Sequence, residues 1–120
     1  MANLRGGWAD DGNGRRGRAA DVISATVAAA FTVPICELHH RSRRRASVAL
    51  ARQSAMYLAH VTLGLSFAEV GRVFGRDRTT AAYACRRIED RRTDAQLDAA
   101  LAELEQALRR DGIAASGAAS

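Results

Sequence analysis

The side chains best placed to act on a partner lie in one helical stretch, Thr79, Ala82, Tyr83, Arg86 and Arg87, with Arg78 at its N-terminal edge. A guanidinium forks onto a guanine edge or a phosphate. A threonine hydroxyl accepts or donates, and its methyl can touch a thymine methyl. Asp77 precedes a helical pattern, where a carboxylate caps the first backbone N–H groups. These are recognition groups, not catalytic ones. No nucleophile stands with a base and no carboxylate pair is evident. Cys36, His39 and His40 lack a second pair at metal-ligand spacing. All 18 basic residues are arginines, so a Walker-type phosphate loop, a lysine Schiff base and a lysine general base are excluded. The chain is expected to be no enzyme and to carry no cofactor and no metal.

The net charge of +5 over 120 residues is unevenly distributed: residues 1–40 sum to zero, 41–92 to +8 and 93–120 to −3. A strongly basic middle favours a polyanionic partner, with nucleic acid first. An aromatic fraction of 5% gives little for bases to stack on, which favours duplex over single strand. Two cysteines make no disulfide framework, no apolar export segment follows Met1, and no apolar run approaches the roughly 18 residues a membrane span needs. The expectation is a cytoplasmic location without membrane insertion.

Those side chains need elements to hold them, and the hydrophobic period is helical throughout. The expected architecture is all-α, a small helical bundle containing a helix-turn-helix over 19–110, between disordered tails at 1–18 and 111–120. Asp21 is placed to cap a first helix burying Val22, Ile23, Val27, Ala30 and Phe31, which Pro34 closes. A short helical turn covers Ile35 to His40, and the run Arg41, Arg43, Arg44, Arg45 precedes a long helix over Ser47 to Leu63 with Val48, Ala55, Met56, Ala59 and Leu63 inward. Gly64 stops it. Ser66 and Glu69 spell a capping box for a helix from Phe67 to Phe74. Gly75 and Arg76 turn the chain into a helix through Arg92, with Ala81, Ala84, Cys85 and Ile88 inward and Thr79, Ala82, Tyr83, Arg86 and Arg87 outward. Thr93 or Asp94 starts a last helix whose Leu97, Leu101, Leu104 and Leu108 form a stripe, for the bundle or for a second copy or other protein partner.

Two stretches, A-R-Q-S-A-M-Y-L at 51–58 and F-G-R-D-R-T-T-A-A-Y-A-C-R-R-I-E at 74–89, resemble the DNA-binding domain at the C-terminus of the bacterial replication initiator DnaA. The resemblance covers residues 20 to 110 or so and implies a stand-alone relative without the ATPase domain. It implies that Arg76, Asp77, Arg78, Thr79 and Thr80 open a recognition helix contacting bases and phosphates in the major groove. Arg44, or Arg43 or Arg45 in a shifted register, would insert in the minor groove, and Arg52 and Gln53 would lie near the DNA backbone. The chain departs from the family pattern at one glycine before Arg76 instead of two, which makes the turn one residue shorter, and at Arg78 where the family carries histidine, which predicts altered sequence preference. The expected function is sequence-specific binding of double-stranded DNA in replication initiation or its regulation. The alternatives are a helix-turn-helix transcription regulator and, in a different class, a protein-interaction module.

Overall fold

A computed structural model of the chain describes residues 14–38 and 46–112. The described residues form α1 (Gly14–Phe31), α2 (Ile35–Leu38), α3 (Ala46–Leu63), α4 (Phe67–Phe74), α5 (Arg78–Arg91) and α6 (Ala95–Arg110), with no strand among them. The expected all-helical architecture is thus observed. Residues 1–13 and 113–120, where tails are expected, lie outside the described residues, as does the basic run with Arg43, Arg44 and Arg45.

The bundle is organised on α3, against which both α1 and α5 pack. Ala51, Ala55 and Ala59 are fully buried along it. Side chains this small let neighbouring helices approach closely, while Met56 and Leu58 fill the space between. Gly64 ends α3 at φ 71, with its N–H on the His60 carbonyl at 3.1 Å.

The first helix begins earlier than its sequence pattern implies. Gly14 to Arg18 are helical and not part of a tail, and Asp21 is an exposed residue within α1, not its cap. The run of arginine and alanine ahead of Asp21 favours helix, and Ala20 is buried, so the apolar stripe extends past the expected start. Ile23, Val27 and Ala28 are buried, Val22 and Phe31 are half-buried, and Ala30 faces solvent, contrary to expectation. The helix unwinds at that end: Thr32 takes φ 55, and the Val33 N–H returns to the Ala28 carbonyl at 3.0 Å just before Pro34.

At the other end, Asp94 and not Thr93 caps α6, accepting from the N–H groups of Gln96 and Leu97. Leu97, Leu101, Leu104 and Leu108 are all buried against the bundle, where α6 meets α1 and α3. The stripe is core and is not presented to a partner. Arg92 ties the same corner together. Its Nη1 donates to the Tyr57 hydroxyl at 3.0 Å and to Glu105 at 3.2 Å, and its Nε donates to Asp98 at 2.6 Å. One guanidinium thereby joins α3, α6 and the end of α5.

Candidate nucleic-acid interface

The geometry of α4, the turn and α5 follows from local chemistry. Ser66 accepts from the Glu69 N–H while Glu69 accepts from the Ser66 N–H, at 3.1 and 2.8 Å. This is the reciprocal box its spacing implies, and it fixes the start of α4. Val70 and Phe74 anchor that short helix in the core. Gly75 then takes φ 69 and ψ 32, a left-handed conformation that glycine adopts without penalty. The Arg76 N–H turns back onto the Gly71 carbonyl at 2.7 Å.

Asp77 starts α5. Its Oδ1 accepts from the Thr80 N–H at 2.8 Å and from the Thr79 hydroxyl at 2.9 Å. The Thr80 backbone N–H, followed by the Thr80 and Thr79 hydroxyls, holds the carboxyl below its ordinary range, so it is ionised at neutral pH. Ala81, Ala84, Cys85 and Ile88 are buried beneath α5, as the period predicts. Arg78, Thr79, Thr80, Tyr83, Arg86 and Arg87 are exposed, Tyr83 at 56%, whereas Ala82 is half-buried and not outward. Arg78, Arg86 and Arg87 form no ion pair with another described residue. Exposed arginines and threonines therefore occupy the outer side of one rigid, capped helix.

Between α3 and α5 runs an open groove of about 570 Å³. Arg52, Gln53 and Met56 line one wall and Thr79, Thr80 and Tyr83 the other, with Arg76 at its end. Arg52 is only 5% exposed. Its Nε and Nη2 donate to the carbonyls of Leu38 and Glu37 at 3.1 and 2.9 Å, so much of its hydrogen-bonding capacity is directed inward. The structure thus brings together Arg76, Asp77, Arg78, Thr79, Thr80, Tyr83, Arg86 and Arg87 on or beside α5. It places Arg52 in the groove's α3 wall, tied to the chain just before residues 39–45. Sequence reasoning missed this inward use of Arg52; the signal available was its position among Val48, Ala51 and Ala55 on the buried face of α3.

Such an arrangement of two capped helices about a three-residue turn, held on a helical bundle with a basic outer helix, defines a helix-turn-helix protein. Residues 20–88 match the family model described as bacterial DnaA protein helix-turn-helix, and the chain belongs to that family. Chromosomal replication initiator protein DnaA of Burkholderia multivorans (strain ATCC 17616 / 249) is 42% identical over 89 residues, 72% of this chain and 17% of that protein. The proteins of the same name from Paraburkholderia phymatum and Ralstonia pickettii (strain 12J) give the same identity and coverage. The chain thus spans about 17% of the length of these relatives. No helix among the described residues is long and apolar enough to cross a membrane.

Proposed function

We propose that this chain binds double-stranded DNA with sequence preference, as a reader of initiator-type sites acting in replication initiation or its regulation. The observation that carries the proposal is the exposed face of α5, with Arg78, Thr79, Tyr83, Arg86 and Arg87 all solvent-facing on a helix fixed at its start by Asp77. An α-helix enters the major groove, which is about 12 Å wide, and presents its N-terminal side chains to base edges. In this reading Arg78 and Thr79 contact bases. Arg76, Thr80, Tyr83, Arg86 and Arg87 contact bases or phosphates along the same track, and Asp77 acts at the helix start. Arg43, Arg44 and Arg45 supply the second, minor-groove contact, and Arg52 supports that contact from the α3 wall of the groove. The unit that does this is the helical bundle that includes residues 19–110, and it uses no cofactor and catalyses no reaction.

The test is fluorescence anisotropy on a duplex carrying an initiator-type site and on a scrambled duplex, at 50 and 200 mM salt. A preference for the initiator-type site that persists at the higher salt is expected. Affinity for both duplexes should fall by roughly 10³-fold or more across that range if six or more phosphates are contacted. Equal, salt-sensitive binding to both would move the protein toward transcription or DNA architecture. No binding, or binding indifferent to salt, would overturn the proposal in favour of a protein-interaction module.

A further inference from the structure

We propose that Asp90, an exposed acid on the outer stripe of α5, sharpens discrimination between DNA sites by repelling phosphate; this rests on the DNA-binding reading above. Thr79, Tyr83, Arg86 and Asp90 stand at i, i+4, i+7 and i+11, the spacing of one helical face. All four are exposed, and the face they form lies opposite the buried Ala81, Ala84, Cys85 and Ile88. Three of them carry groups that suit base edges or phosphate. The fourth is a carboxylate, which phosphate repels. Its charge is not used within the fold. The Asp90 carboxylate forms no ion pair with another described residue, and neither does Arg86 one turn before it. The Thr93 hydroxyl donates to the backbone carbonyl of Asp90 at 3.4 Å, not to its side chain.

The stripe is longer than the major groove is wide. Thr79 and Asp90 lie about 17 Å apart along the axis at a rise of about 1.5 Å per residue, against a groove about 12 Å across. A recognition helix reads bases with its N-terminal residues, so the end that carries Asp90 rises toward the sugar–phosphate strand bounding the groove. Two arrangements then differ. Where Arg78 and Thr79 find their bases, those contacts hold the helix tilted, with its N-terminus down and Asp90 clear of phosphate. Where they do not, the exposed arginines draw the helix flat along the strand, because counterion release rewards every phosphate they reach. Asp90, one turn beyond Arg86 on the same face, is the group that this flattening brings against phosphate. It penalises the non-specific arrangement more than the specific one, and a preference gained by opposing the wrong partner needs no added contact to the right one. Glu89 is also exposed and carries the same charge, but it stands about 100° away round the helix and off the stripe.

The experiment uses the full chain, a duplex that it enriches from a randomised pool and a scrambled duplex, with affinities read by anisotropy at two salt concentrations. Asp90→Asn is expected to tighten binding to the scrambled duplex by roughly fivefold at low salt, the upper range for one exposed charge pair. Binding to the enriched duplex should tighten by no more than about twofold, so the ratio of affinities narrows. The gain on the scrambled duplex should shrink at the higher salt, where exposed charges are screened. Glu89→Gln removes the same unit of charge from off the stripe and should leave the ratio at the parental value, as should Asp90→Glu, which keeps the charge. Melting curves establish that each variant is folded. Equal narrowing in Asp90→Asn and Glu89→Gln would reduce the effect to net charge and overturn the inference. So would a parental ratio in Asp90→Asn, or a gain by the same factor on both duplexes. Asp90→Asn placed in an Arg86→Ala background should still narrow the ratio; a loss of the effect there would show that Asp90 acts only by pairing with Arg86 in solution, and overturn it too. A parent chain that binds no duplex, or binds every duplex alike, would instead remove the DNA-reading proposal itself, a failure seen before any variant is made.

Discussion

Arg52 and Arg92 on one side, and Arg78, Arg86 and Arg87 on the other, show the same side chain used in two opposite ways. Arg52 is buried on the inner face of α3 with two carbonyls on its guanidinium, and Arg92 knots Tyr57, Asp98 and Glu105 where the end of α5 meets α3 and α6. The three on α5 stand in solvent without an ion pair to another described residue. A +8 middle segment is therefore not a uniform surface. Part of that charge joins helices, and another part, on the outer side of α5, stands exposed. The comparison can be broken by variants that separate stability from DNA affinity.

The largest effect is expected from Arg52→Ala. It leaves the carbonyls of Glu37 and Leu38 without that donor in a nearly closed site, a loss of about 3 kcal/mol in unfolding free energy. Urea denaturation without DNA checks this. Unchanged stability with DNA affinity alone reduced would move Arg52 into the outward class. Arg92→Ala should cost about 1 to 2 kcal/mol, because Asp98 is half exposed and its attraction is screened. The melting temperature should fall, while DNA affinity measured well below it stays at the parental value.

Arg86→Ala and Arg87→Ala belong at the other pole, with stability within about 0.5 kcal/mol of the parent and weaker DNA binding. An arginine that holds a phosphate lowers the salt slope of binding by about 1 and weakens all sequences alike. One that forks onto a base costs about 1 to 3 kcal/mol of discrimination at a single position. Parental affinity and salt slope in both variants would put these residues among solvated surface charges.

The same contrast explains what could be read from the sequence. Capping signals are local, so Ser66, Glu69, Gly75 and Asp77 announced α4, the turn and α5 at the positions observed. The leucine period of α6 was equally legible, because four leucines at helical spacing are buried together. The start of α1 was misplaced because Asp21 looks like a cap, whereas burial of Ala20 carries the helix past it. The roles of Arg52 and Arg92 depend on carbonyls and carboxylates brought in from other helices. No period or spacing in the chain encodes those contacts.

The two cysteines give the smallest and cleanest form of the inside-against-outside contrast. Cys36 is exposed and Cys85 buried, with the Cys85 thiol directed at the Met56 carbonyl. Burial first, and the nearby Glu89 charge second, push the Cys85 thiol up to about 11 from 9.0. Its thiolate is the reactive form, so a small alkylating reagent at pH 8 should modify Cys36 first and reach Cys85 only as the protein opens. Because the folded thiol holds its proton more tightly than the unfolded one, its contribution to stability is fully present below pH 9 and is lost as pH rises through about 11. Cys85→Ala should flatten that alkaline decline relative to the parent, read from melting temperatures between pH 8 and 11. An unchanged alkaline profile would show that another group governs it.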